Sequence, residues 1–295
     1  MNLVMTVIAG PGGAGVLTDL VAELAALLPL VGAPDWLAPG TACDLHLEGV
    51  AGQAAETAAR QAIGGAAIDV LVQPSAGRRK RILVADVEAT IIENEMLDEL
   101  ADFIGRRSHV AEITRRAMNG ELDFAAALAE RVLLLKGLPE ALLDEAASRI
   151  RLTPGARALV ATARADGVRT ALVSGGFTVF AERVAGDLGF QRVVANRLEI
   201  ADGLIAGTVM APLVTGATKR DTLLALAAEF AVPRSATLAV GDGANDLAML
   251  AAAGLGVAFH AKPTVAAAAR WRIDHADLTA LLYAQGFRRE EIVGL

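Results

Sequence analysis

Residues 81–90 read RILVADVEAT, and this stretch decides the fold. Ile82–Ala85 is apolar without alternation, as in a strand covered on both faces. Two carboxylates, Asp86 and Glu88, follow at once. Downstream the same grain recurs in TALVS (170–174), RVVAN (192–196), TLAVGD (237–242) and GVAF (256–259), each followed by a turn and a helical stretch. Strands alternating with helices imply an α/β fold with a Rossmann-like parallel sheet and helices on both sides. Ligands in such sheets bind at the carboxyl ends of the strands. Asp86, Ser174 and Asp242 all fall there.

Around this core the pattern differs. Between Glu95 and about Thr153 no strand is legible; amphipathic runs at Met96–Phe103, His109–Met118 and Phe124–Leu135 predict a helical cap inserted after the first core strand, over about 96–153. Upstream, Leu3–Ile8, Cys43–Leu47 and Ile68–Val72 read as strands, and Val16–Leu28 and Gln53–Ile63 as helices. QPSAGRRK (73–80) breaks that pattern with turn formers and charge, and so predicts a linker. The expected division is a small domain over 1–77 and a larger one over 81–295. A chain of 295 residues suits two domains of roughly 150 residues each.

Composition narrows the function. With 54% apolar and 21% charged residues the chain is globular. A net charge of −7 argues against a nucleic-acid partner, which would select an excess of Lys and Arg. The single cysteine, Cys43, excludes an internal disulfide framework and suits a reducing compartment. The start, MNLVMTVIAGPGG, lacks the basic flank of a secretion signal, and the apolar run Leu247–Phe259 is too short to span a bilayer. A cytoplasmic protein without a membrane partner is expected. Of the 27 basic residues only Lys80, Lys136, Lys219 and Lys262 are lysines, which raises the question of why each is not arginine.

The chemistry converges on four pieces. At the first strand mouth a carboxylate can serve as nucleophile or metal ligand and its neighbour as general acid. Ser174-Gly175-Gly176 combines a hydroxyl with backbone N–H groups at a helix start, a cradle for phosphate. Gly241-Asp242-Gly243-Ala244-Asn245-Asp246 crowds two acids and an amide into one glycine-opened turn, and hard oxygen ligands there suit Mg²⁺. Lys219, at the start of KRDTLLALAAEF, can bring a compact cation to a phosphate or to Asp86.

In that order the pieces resemble the haloacid dehalogenase superfamily of phosphatases, whose nucleophile motif reads Asp-x-Asp-x-Thr. VSGGF (173–177), VGDGANDLAML (240–250), FHAKP (259–263), RAMNGELDF (116–124) and ERVLLLKG (130–137) are similar to segments of its phosphoserine phosphatases. Residues 1–75 resemble loosely the small ACT-like domain preceding many of these enzymes. The resemblance implies Mg²⁺-dependent hydrolysis of O-phosphoserine, the last step of serine biosynthesis. Asp86 matches the nucleophile that becomes an aspartyl-phosphate, Glu88 the general acid/base, and Lys219 the lysine that neutralises both phosphate and Asp86. It assigns Ser174 and Gly175 to the phosphate and Asn245 and Asp246 to a supporting polar shell. Asp86, Asp242 and the Glu88 position, through its backbone carbonyl, are assigned to Mg²⁺. In the cap, Glu95 matches the residue receiving the substrate ammonium, Arg131 the one receiving its carboxylate, and Met118 and Phe124 apolar residues closing over the serine. The expected partner is thus a small molecule, with a homodimer left open.

Two positions depart from the family pattern. Residue 88 is Glu where the family has Asp, and residue 89 is Ala where these phosphatases usually have Ser. Glutamate keeps suitable acid/base chemistry, with a reference pKa only about 0.4 above that of aspartate. One extra methylene moves the carboxyl by about an ångström unless the surroundings adjust, and such misplacement can cost on the order of 10²-fold. Two alternatives follow: a related phosphomonoesterase or phosphotransferase with another small substrate, or an amino-acid-sensing protein with a weakened catalytic centre.

Overall fold

The computed structural model of the chain describes residues 2–118 and 121–295, and at Met118 and Phe124 the backbone alone. The first 74 residues run β1 (Leu3–Ala9), α1 (Ala14–Leu27), β2 (Asp35–Ala38), β3 (Ala42–Leu47), α2 (Gly52–Ile63) and β4 (Ile68–Pro74). They make a four-stranded antiparallel sheet in the order β2-β3-β1-β4. Alternation along the strands sends Met5, Val7, Cys43, Leu45, Val70 and Val72 to one face, where Leu17, Val21 and Leu24 of α1 and Ala55 and Ala59 of α2 cover them. Strand β2 is an addition to the expected elements. Gln73 and Pro74, expected in the linker, finish β4 instead.

The following stretch is docked rather than loose. Arg78 reaches Asp44 Oδ2 at 2.6 Å and the Tyr283 carbonyl at 3.3 Å, while Lys80 Nζ donates to the carbonyls of Gly77 and Ser235 at 3.0 and 2.9 Å. These satisfied polar groups join an apolar contact, in which Ile8, Leu37 and Leu71 of the first sheet share a core with Trp271 and Tyr283.

The second sheet starts with β5 (Ile82–Ala85). The cap follows as α3 (Met96–Asp102), α4 (Arg107–Met118), α5 (Phe124–Leu133) and α6 (Ala141–Ser148), and its ends meet where Ile92 bridges Leu152. The core resumes with α7 (Ala156–Ala165), β6 (Arg169–Phe177), α8 (Thr178–Leu188), β7 (Arg192–Ala201) and β8 (Leu204–Met210). Then come α9 (Gly216–Glu229), β9 (Thr237–Gly241), α10 (Leu247–Ala252), β10 (Leu255–Phe259), α11 (Pro263–Ala268), β11 (Trp271–Ile273) and α12 (Ala280–Ala284).

These strands form a seven-stranded sheet in the order β11-β10-β9-β5-β6-β7-β8, parallel except for β8. The period of two is strict at its centre. Ile82, Val84, Ala171 and Val173 face Leu223 and Leu226 of α9 and Met249 of α10. Leu83, Ala85, Leu172 and Leu238 face Leu159 of α7, Phe180 of α8 and Leu281 of α12. From β5 the chain winds outward through β6 and β7, then returns to β9 on the other flank of β5. That reversal opens a crevice at the carboxyl ends of β5 and β9, where such sheets bind ligands. No helix among the described residues is long and apolar enough to cross a membrane.

Candidate active site

Asp86 leaves β5 at the crevice, and Asp242 leaves β9 beside it. The Asp86 side chain accepts from the Val87 N–H at 2.8 Å, which fixes it at the strand mouth. Carboxylate oxygens of Asp86, Asp242 and Asp246 lie within 4.8 Å of one another, all three residues buried. Lys219, in the first turn of α9, sends its fully buried ammonium between them, 2.8 Å from Asp86 Oδ2 and 2.6 Å from Asp246 Oδ1. Reciprocal Thr215–Thr218 bonds cap that helix and set its start.

The electrostatics follow from burial. Desolvation, then the neighbouring Asp246, push the Asp86 carboxyl well above its ordinary value, while Lys219 pulls it back. Burial works to lower the Lys219 ammonium, but Asp246 and Asp86 outweigh it and hold it above the usual lysine range. Burial raises Asp242 to about 6 against the pull of Lys262. Asp242 Oδ2 makes no hydrogen bond, although Lys262 Nζ stands 3.3 Å away. Three buried carboxylates, with Lys219 between two of them and Lys262 beside the third, form an all-oxygen donor set that suits a hard divalent cation. Asp246, expected only in the supporting shell, belongs to this cluster. The Glu88 carboxylate does not: its Oε1 accepts the Met96 N–H at 3.0 Å.

The segment around Glu88 explains how the longer acid fits. The turn at 87–91 carries Ala89 at φ +51°, a left-handed residue directly after the extended Glu88. A Cβ at Gly176 would lie 2.7 Å from Glu88 Oε2, so the glutamate carboxyl fills the space that a side chain at 176 would take. Burial pushes Glu88 up to about 6, opposed by the Met96 N–H and by Arg131 and Lys219.

Ser174 and Gly175 lie in the last stretch of β6, where its pairing with β7 becomes irregular; the strand runs on to Phe177, and α8 starts at Thr178, one residue after the expected helix start. The Ser174 hydroxyl is buried and accepts the Gly176 N–H at 2.9 Å. Asn196, a residue the sequence pattern did not single out, holds this turn: its Nδ2 donates to Gly175 O at 2.7 Å and its Oδ1 accepts from Val214 N at 2.8 Å. It is the last residue of the RVVAN run and the last of β7 to pair with β6. Asn245 keeps a buried Oδ1 with no hydrogen-bond partner, beside Gly243 of its own turn.

From the cap, Glu95 caps α3 and leaves Oε1 buried without a hydrogen bond. Burial raises its carboxyl, and Glu88 and Asp242 raise it further. Arg131 of α5 is buried, its Nε and Nη1 held by the Ala127 carbonyl and the Thr114 hydroxyl at 3.0 and 2.8 Å. Glu88, Glu95 and Asp98 are the acids acting on it. Both cap residues thus belong to one electrostatic cluster with Glu88. Met118 and Phe124 lie outside the described side chains.

A model of the haloacid dehalogenase-like hydrolases matches residues 83–251. A phosphoserine phosphatase of Streptomyces coelicolor is 41% identical over 256 residues, covering 86% of this chain, which spans only 62% of that relative's length. One from Idiomarina loihiensis is 44% identical over 201 residues, covering 68% of this chain and 91% of its own. A haloacid dehalogenase family hydrolase of Salmonella enterica superposes with a TM-score of 0.84 at 28% identity, covering 96% of this chain and 98% of its own. With the crevice acids, the buried lysine and the Ser-Gly turn inside the matched region, the chain belongs to the haloacid dehalogenase-like hydrolases.

Proposed function

We propose that the protein is a Mg²⁺-dependent phosphoserine phosphatase, releasing serine and phosphate through an aspartyl-phosphate on Asp86. The observation that carries this reading is the buried Asp86–Lys219–Asp246 arrangement at the sheet crevice, with Glu88 and the Ser174-Gly175 turn beside it. The phosphoserine phosphatases among its relatives support the choice of substrate.

Asp86, Asp242 and the Glu88 backbone carbonyl would hold Mg²⁺, with Asp246 alongside. When bound, the cation supplies positive charge against the phosphate oxygens. The chain's own groups do the rest. Lys219 compensates the charge of nucleophile and phosphate together, so that an anion can attack an anion. Ser174 and the Gly175 backbone receive phosphate oxygens. Asp86 attacks phosphorus; Glu88, neutral, gives its proton to the departing serine oxygen, then as carboxylate takes one from the water that opens the aspartyl-phosphate. Arg131 offers a planar fork to the substrate carboxylate and Glu95 an unpartnered acceptor to its ammonium.

Residues 1–77 fit a small ACT-like domain, and the βαββαβ order of the first sheet supports that assignment. We further assign the protein to the cytoplasm. The test is phosphate release from phosphomonoesters with and without Mg²⁺, together with Asp86→Asn. Phosphoserine should be preferred, the metal required, and the Asn variant inactive while folded. Full activity of Asp86→Asn would remove the mechanism.

A further inference from the structure

Among the chain's four lysines, Lys219 sits at the centre of the acid cluster, Lys80 bonds two carbonyls between the sheets, and Lys136 is exposed. Lys262 remains unused by the mechanism above, yet it enters the same site. Its ammonium stands 3.3 Å from Asp242 Oδ2, the carboxylate oxygen without a hydrogen bond. Its backbone is fixed as well: its N–H donates to the Asp242 carbonyl at 3.2 Å, and it caps α11 with Pro263 next in line. Asp242 and Glu95 act on it most strongly among the acids, followed by Asp98.

The charge balance gives this placement a meaning. The carboxyl groups of Asp86, Glu88, Glu95, Asp98, Asp242 and Asp246 are set against Lys219, Arg131 and Lys262. A surplus of acid attracts a divalent cation but repels a phosphate ester that is itself anionic. A third cation beside Asp242 moves that compromise toward the substrate.

The position of Lys262 is set from the other sheet. Asp69 of β4 is buried, and its carboxylate accepts three backbone N–H groups, from Asp274 at 2.7 Å, His275 at 3.1 Å and Ala276 at 2.8 Å. The Ala276 carbonyl lies 2.9 Å from His260 Nε2. His260 adopts φ +43°, stacks on Phe259 at 4.1 Å between ring centroids, and leads two residues later into Lys262. Three charge-assisted bonds to one loop and one imidazole contact thus connect the first sheet to the lysine.

We propose that Lys262 sets the charge balance of the site, favouring an anionic substrate at the expense of cation affinity, and that Asp69 holds it there through the 274–276 loop and His260. The inference rests on the phosphatase reading only for the identity of the substrate. It predicts shifts of opposite sign, which general loosening of the fold would not produce.

The experiment compares wild type with Lys262→Met, Lys262→Arg, Asp69→Asn and His260→Phe. Calorimetry gives the affinity for Mg²⁺ alone and then for inorganic phosphate on the Mg²⁺-saturated protein; steady-state kinetics give KM and kcat for phosphoserine. Lys262→Met should bind Mg²⁺ roughly fivefold more tightly and phosphate roughly fivefold more weakly, as for loss of one partly exposed charge. KM should rise more than kcat falls, and Lys262→Arg should restore most of each value. Asp69→Asn should move both affinities in the same directions by smaller factors. His260→Phe, which keeps the ring stack and loses the bond to Ala276, tests the same link if Asp69→Asn does not fold. Weaker binding of both ligands in Lys262→Met, or no change in either, would overturn the role of the lysine. Wild-type affinities in both Asp69→Asn and His260→Phe would overturn the link from the first sheet. A wild type that binds Mg²⁺ and phosphate but leaves phosphoserine intact would refute the substrate, while the two affinities still decide the inference; a wild type that binds no Mg²⁺ would overturn both.

Discussion

The Lys219 ammonium lies 2.8 Å from Asp86 Oδ2, with the lysine fully enclosed. A charge so placed is held by its partners and in turn makes them tolerable in the interior. Removing one side of such a pair leaves the other uncompensated, at a cost of about 3–5 kcal/mol. Lys219→Met should therefore be inactive and less stable by about that amount. The sign with pH is definite. Asp86 already has a folded-state pKa above its unfolded value, and loss of the lysine raises it further. Stability from such a group is full below the unfolded pKa and is lost as pH rises through the folded one. The deficit of Lys219→Met, measured by urea unfolding in EDTA, should grow as pH rises above the ordinary carboxylate range. A deficit independent of pH would contradict the assignment.

Glu88 gives a second pH dependence, in the reaction. Burial places its pKa at about 6. Transfer to Asp86 needs the neutral acid and should slow as pH rises through that value. Hydrolysis of the aspartyl-phosphate needs the carboxylate and should slow as pH falls through it. Rapid quenching should therefore trap more phosphorylated Asp86 at pH values below about 6 than above. Equal trapped fractions on both sides would show that Glu88 does not serve both steps.

Gly176 and Glu88 share one space, since a Cβ at 176 would lie 2.7 Å from the glutamate Oε2. Gly176→Ala should displace the carboxyl and lower kcat/KM by about 10- to 100-fold. Glu88→Asp withdraws the carboxyl, so adding Gly176→Ala to it should cost far less than in the natural chain. The double-mutant cycle is the measurement; additive losses would separate the two residues.

Arg131 is anchored through two of its nitrogens, by the Ala127 carbonyl and the Thr114 hydroxyl. Arg131→Ala should raise KM for phosphoserine far more than for phosphoethanolamine, which lacks the carboxylate. The difference expected for a charge-assisted contact is about 1.5–3 kcal/mol. Arg131→Lys should recover charge but not the fork, and fall between. Equal effects on the two esters would return Arg131 to a structural role.

The sequence by itself determined the core strands and what stands at their ends. Ile82–Ala85, Thr237–Gly241 and Leu255–Phe259 are buried throughout, and continuous burial forces a continuous apolar run that can be read locally. The same logic exposed Asp86, Ser174 and Asp242, because a polar residue closing such a run has few reasons to be there. Strands β2, β8 and β11 escaped because they lie at sheet edges, where exposure alternates or the run is short. The β7–β8 hairpin did carry a signal, Asp202-Gly203, both at positive φ, but polar residues from Asn196 onward hid the strand leading into it.

Tertiary structure alone decided which acids meet. Asp246 joins Asp86 and Asp242 because the turn after β9 folds back over the crevice, and Asn196 holds Gly175 because β7 lies beside β6. Nor could the sequence tell that 73–80 is partly strand and partly anchored, since a run of turn formers and charges looks alike whether water or Asp44 and Tyr283 receive its donors. Strand identity is set by the burial of neighbours along the chain. Convergence of charges depends on which strand ends the sheet order brings together, and that order is fixed by packing between residues far apart along the chain.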